Sequence, residues 1–313
     1  MAAATRPRDL FEMDDNIVVC PGVYDGFTAR IALYAGFAAF TWYKNVKPSD
    51  GNLEIALLND VKENAGMVHW TIDNSIRAPL MVRGTVEEYM HAGVAALHHE
   101  DQVANKRCGH LQHKEIVDTE TCVARIRVAV NKRKELGGDI VIIAWTGALQ
   151  SFWSDSAVSR LKAAIRVGAD VAFLERFTVK KEGRGMCKEF SPTPLLPNMV
   201  GGGVMQDISV AEARDLGFKA IIYPCFAMIP VYQAITAAAK ELRDTGDLKV
   251  VGNTKVCPKE LFEVYGLQET IDFDVAAGRV LFSSGMMQPG VMELKDVSRH
   301  LENRVLSSIE YVK

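Results

Sequence analysis

IVIIAWTGALQSFWSDSAVSRLKAAIRVGADVAFL, residues 140–174, holds the pattern that decides the fold. Ile140 to Ala144 is a short β-branched run with apolar residues on both faces. Ser154 to Val167 spaces its apolar residues at helical intervals, and Gly168 stops it where a left-handed cap is cheap, just before the apolar run Val171 to Leu174. A strand that is apolar on both sides must be covered on both sides. Strand, helix and strand in this order therefore predict a parallel sheet clothed by helices.

The unit repeats in both directions. Asn16 to Cys20 precedes the helical stretch Gly26 to Tyr34, Ala38 to Trp42 precedes Ala56 to His69, and Val94 to His98 precedes a polar loop and the helix Thr119 to Leu136. Leu195 to Val200 and Ala220 to Pro224 follow, the last leading into Val231 to Thr245. Gly36, Gly93, Gly168 and Gly217 each stand between a helix and the next strand. So regular a return favours a parallel (β/α)8 TIM-type barrel over an open doubly wound sheet, expected over residues 1–245. Past Thr245 the pattern loosens around Pro258 and Pro289. Residues 246–313 are expected to form a C-terminal helical extension, packing on the barrel or on a neighbouring subunit of a homo-oligomer.

With 313 residues, 48% hydrophobic and 24% charged, the chain can bury a large core. The net charge of −3 comes without any long basic run, so no nucleic-acid partner is expected. No apolar stretch approaches the roughly 20 residues of a membrane helix, and Met1 to Phe11 lacks the apolar core of a signal peptide. The expected location is the cytoplasm and the expected partner a small-molecule substrate. Six cysteines lie far apart without a CxxC pair, which argues against both a disulfide framework and a zinc knuckle. Most read as buried thiols. Cys108 differs, because Lys106, Arg107 and His110 surround it with the positive charge that lowers a thiol's pKa.

Cys20-Pro21-Gly22-Val23-Tyr24-Asp25, Leu58-Asn59-Asp60, Glu100-Asp101-Gln102 and Lys106-Arg107-Cys108-Gly109-His110, taken in order, resemble the isocitrate lyase and phosphoenolpyruvate mutase superfamily. The likeness is to its dimethylmalate and methylisocitrate lyase branch. It continues through Ile142-Ile143-Ala144, Phe173-Leu174-Glu175, Pro194 to Val200 and Pro258 to Phe262. The resemblance implies a (β/α)8 barrel and retro-aldol cleavage of a 2-hydroxy diacid, with Mg²⁺ at the 2-oxo end and the loop cysteine as acid. Carried onto this chain, it implies Cys108, His110 and Glu175 as catalytic groups, with Tyr24, Glu100, Arg107 and Asn198 as substrate-binding groups.

Other positions depart from the family pattern. For the acidic run of DADTGYGG type at the end of the third strand, the chain offers Asn74 to Thr85 and then a helix from Val86 to Ala92. With Ala78 to Val82 taken as that strand, Arg83 occupies the place of the first aspartate. Trp145 and Gly147 replace the arginine and aspartate of an IIARTDAL run, and Trp42 and Tyr43 replace the glycines of a TGAG-type loop. A guanidinium cannot coordinate two substrate oxygens as Mg²⁺ does, and a tryptophan offers a stacking face in place of a carboxylate fork. These replacements predict a metal-independent enzyme without a cofactor. It would make or break a carbon–carbon bond, cyclisation included, in a small apolar substrate of specialised metabolism, with Trp42, Tyr43, Arg83 and Trp145 shaping the pocket. Two alternatives stand beside this one: a lyase using Mg²⁺ to cleave a dimethylmalate-like or methylisocitrate-like acid, and a non-catalytic pseudoenzyme partner.

Overall fold

A computed structural model describes residues 8–9, 11, 16–39, 41–42, 71–74, 79–103, 114–148, 154–174, 180–201, 206–249 and 256–278. Strands and helices alternate. They run β1 (Val18–Val23), α1 (Gly26–Tyr34), β2 (Thr41–Trp42), β3 (Thr71–Asn74), α2 (Pro79–His91), β4 (Ala96–Glu100), α3 (Thr119–Glu135) and β5 (Val141–Thr146). The order continues with α4 (Ser154–Arg166), β6 (Val171–Leu174), α5 (Lys180–Phe190), β7 (Leu195–Leu196), α6 (Val210–Leu216), β8 (Ala220–Tyr223) and α7 (Met228–Thr245). The helical stretch expected at Ala56 to His69 lies outside the described residues.

All eight strands form one parallel sheet in the order β7-β6-β5-β4-β3-β2-β1-β8. β8 returns to β7 through a parallel bridge between Ile222 and Asn198, where the Ile222 amide donates to Pro197 O at 3.1 Å and the Met199 amide to Ile222 O at 2.8 Å. This closes the barrel. Alternate residues fill two layers. Val18, Cys20, Ala96, Val141, Ile143, Trp145, Val171, Phe173, Ala220 and Ile222 pack inside, and Val23, Leu97, Ile142, Ala144, Leu174 and Ile221 pack against the helices. The four predicted return glycines all take positive φ, from 74° at Gly93 to 108° at Gly168, which is why the chain reverses where it does.

Gly22 shows why the Cys20 to Asp25 segment has its composition. A Cβ there would lie 2.1 Å from the carbonyl oxygen of Pro224, so the chain leaving β8 crosses β1 only because residue 22 has no side chain. Asp25 then caps α1 by accepting from the Thr28 amide at 2.7 Å. Gly22→Ala must push two backbones apart at the barrel seam. We expect it to cost at least about 2 kcal/mol in urea unfolding, at the upper end for overpacking; an unchanged midpoint would show that the seam has room.

A second compact unit, residues 256–313, contributes the helices α8 (Pro258–Val264) and α9 (Leu267–Ala276). Its boundary falls between Lys255 and Val256. Among the described residues no helix is long and apolar enough to cross a membrane.

Candidate active site

In a parallel barrel the chemistry sits at the C-terminal ends of the strands. There β4 ends in His98, His99 and Glu100, which alternate across the sheet. His98 faces the interior, edge-on to Trp145 at 6.3 Å and to Phe173 at 5.7 Å, while Trp145 and Phe173 stack at 4.9 Å. Two residues further along the same face, Glu100 meets Lys114, whose Nζ lies 2.8 Å from its carboxylate with both side chains at 0% exposure. Lys114 Nζ also stands 5.2 Å from the centre of the Trp145 ring. The floor of the mouth is thus aromatic, and beside it lies a sealed pair of opposite charges.

Asp101 belongs to the wall. Its carboxylate accepts from Thr146 Oγ1 at 2.5 Å and the Gly147 amide at 3.0 Å, and Arg160 lies 3.4 Å away. Burial pushes the Asp101 carboxyl up, while these partners pull it back. Arg160 goes on to donate to Val117 O at 2.7 Å, tying the strand ends to the chain that enters α3.

The remaining expected residues divide. Tyr24 follows β1, half-buried, with its phenol pKa raised by burial and by Asp25. Asn198 lies at the β7–β8 closure, and its Oδ1 is buried with no hydrogen-bond partner among the described residues. Trp42 pairs in register with Val23, a residue of the sheet–helix layer. Tyr43, Arg107, Cys108, His110 and Glu175 lie outside the described residues.

Arg83 is a correction. Ala78 to Val82 is not the third strand. Pro79 opens α2, where its missing amide hydrogen costs nothing, and the strand is Thr71–Asn74. Arg83 consequently sits on the outside of that helix, 47% exposed, in a two-pronged pair with Glu135 at 2.6 and 2.7 Å. It is no part of the mouth.

The same shift exposes what the sequence reading missed. Asp73 lies on β3 in register with His98, an acidic residue near the end of a strand that the sequence pattern does not assign. Thr41, in register with Gly22, has a buried hydroxyl with no hydrogen-bond partner among the described residues, and nothing in the sequence pattern singles it out. Among the other cysteines, burial pushes the thiols of Cys20, Cys122 and Cys187 up to about 12, which leaves them inert.

Fold and mouth together define a parallel barrel with acidic residues on the ends of adjacent strands β3 and β4. The chain matches the phosphoenolpyruvate phosphomutase family over residues 61–243. It is 31% identical to 2,3-dimethylmalate lyase of Eubacterium barkeri over 89% of this chain and 100% of that one. It is 30% identical to 2-methylisocitrate lyase of Aeropyrum pernix over 87% and 90%. Its structure superposes on crystalline 2,3-dimethylmalate lyase with a TM-score of 0.84 at 40% identity, covering 92% of this chain and 99% of that one. Oxaloacetate acetylhydrolase bound to 3,3-difluorooxalacetate gives 0.83 at 37%, covering 90% and 99%. The chain belongs to the phosphoenolpyruvate mutase/isocitrate lyase superfamily.

This membership overturns the expectation of an enzyme without cofactor. The lyases aligned along nine-tenths of the chain belong to a Mg²⁺-dependent group. Arg83, expected in place of the first aspartate, lies on α2 instead, and β3 is Thr71–Asn74.

Proposed function

We propose that this chain is a carbon–carbon bond lyase acting, with Mg²⁺, on a small 2-hydroxy or 2-oxo acid whose carbon substituents are apolar. The observation that carries the reading is the buried Glu100 at the end of β4, next to β3, on which Asp73 stands in register with His98. Mg²⁺ takes one or two carboxylates and completes its shell with water and substrate oxygens, and this reading assigns Glu100 and Asp73 as its donors. When bound, the ion supplies Lewis-acid stabilisation of negative charge growing on substrate oxygen. The Trp145–Phe173 stack beside them supports an apolar substituent in preference to a second carboxylate.

In this reading the hydroxyl proton of the substrate passes to Glu175 or His110. The carbon–carbon bond breaks as a carbonyl forms on one fragment. The electron pair left on the other fragment takes the proton of Cys108, whose resulting thiolate is favoured by Arg107 beside it. In this reading Tyr24, Tyr43 and Asn198 bind the substrate. α7 has no buried residue and exposes Ile229, Tyr232 and Ile235, which supports assembly as a homo-oligomer.

The likeness to oxaloacetate acetylhydrolase favours hydrolytic cleavage of a 2-oxo acid as the second reading. One assay separates them. Purified protein with Mg²⁺ is given 2,3-dimethylmalate, 2-methylisocitrate and oxaloacetate in turn, with products followed by chromatography. Release of a 2-oxo acid from either of the first two, abolished by a chelator, is the expected result. Oxalate from oxaloacetate alone supports the second reading, and no product from any acid leaves the non-catalytic partner role.

A further inference from the structure

Lys114 is held by three separate features. Its ammonium lies 2.8 Å from the Glu100 carboxylate, both fully buried. The face of Trp145 covers it at 5.2 Å. A Cβ at position 147 would come within 2.3 to 2.8 Å of its Cε, Nζ and Cδ, so a side chain there would displace the end of the lysine from its present place. An ammonium this enclosed stabilises the carboxylate beside it, since either charge buried alone would be costly. The placement is particular: the partner chosen is the acid at the end of β4, at the pole of the barrel where chemistry occurs.

We propose that Lys114 is a resident counter-cation for Glu100, which satisfies the carboxylate in the ion-free protein and competes with Mg²⁺ for it. Magnesium is then weakly held and exchangeable until an acidic substrate adds its own negative charge. The proposal rests on Glu100 serving the ion, as in the reading above. Two cations that share one carboxylate repel each other across a few ångströms of poorly screening interior, so removing one should tighten the other at least about tenfold. A lysine with a purely structural role gives the opposite sign, because its loss would disorder Glu100 and weaken the ion.

The test is calorimetric titration of magnesium chloride into full-length wild type, Lys114→Gln, Lys114→Arg and Gly147→Ala. Thermal unfolding establishes that each variant is folded. Lys114→Gln is expected to bind Mg²⁺ at least tenfold more tightly than wild type, and Lys114→Arg to match wild type. Gly147→Ala crowds the lysine off Glu100 and should shift in the same direction as Lys114→Gln; it decides the matter if the glutamine variant does not fold. Wild type without measurable heat beside a binding Lys114→Gln also upholds the proposal. Unchanged or weaker binding in the folded variants, or no binding by any protein, overturns it. Absence of product from wild type with every acid would sink the lyase reading while leaving this affinity order intact.

Discussion

Asp73→Asn is expected to lower kcat/KM by roughly 10²- to 10³-fold, the loss of several kcal/mol of charge stabilisation at a metal-assisted centre. Arg83→Ala is expected to change it less than about twofold, as surface substitutions do. The two residues are ten positions apart in sequence, and the contrast follows from which of the two candidate segments is strand. Thr71–Asn74 pairs residue by residue with β4, Thr71 with Ala96 and Asp73 with His98, so Asp73 takes the register of His98 near the strand end. Arg83 lies a full turn into α2 and is bound to Glu135, whose carboxyl it holds below its ordinary range by hydrogen bonding. Both members of that pair are exposed, and such pairs are screened by solvent. Steady-state kinetics at saturating Mg²⁺ would decide; a large loss in Arg83→Ala together with an active Asp73→Asn would restore the strand assignment at Ala78 to Val82.

The sequence reveals the barrel and conceals part of its mouth for identifiable reasons. β5, α4 and β6 are long, periodic and closed by Gly168, so apolar spacing finds them almost to the residue. β3 is short and half polar, Thr-Ile-Asp-Asn, whereas Ala-Pro-Leu-Met-Val downstream has the more strand-like composition. Pro79 was the available signal against it, because a proline fits the first turn of a helix far better than the middle of a buried strand. The Glu100–Lys114 pair leaves no periodic trace, since its members lie far apart in the sequence. Gly147 reads in sequence as a lost aspartate and in space as the room that Lys114 needs. Asp101 adjoins Glu100 in sequence, yet alternation turns it outward to Thr146 and Arg160, where it locks the strand ends to the helices.

One buried residue of β4 should make the whole barrel sensitive to acid. His99 is fully buried, and among the described residues neither ring nitrogen has a hydrogen-bond partner. Burial, and then the positive charge of Arg125, lower its pKa from 6.5 to about 3. The folded protein therefore keeps this ring neutral while the unfolded chain takes up a proton below about pH 6.5. Stability tied to His99 is fully present above that value and is lost as pH falls through the window down to about 3. At about 1.4 kcal/mol per pH unit, roughly 2 kcal/mol should vanish between pH 7.5 and pH 5 from this group alone. Carboxylates also titrate on that path, so the comparison must be differential: urea unfolding of wild type and His99→Phe at both pH values. The phenylalanine variant should lose about 2 kcal/mol less than wild type over the interval. At pH 7.5 it should be no less stable, because an apolar ring replaces one whose polar atoms are buried without partners. Equal losses in the two proteins would mean that water or a neighbouring group reaches the His99 ring in solution and that the ring is not held neutral.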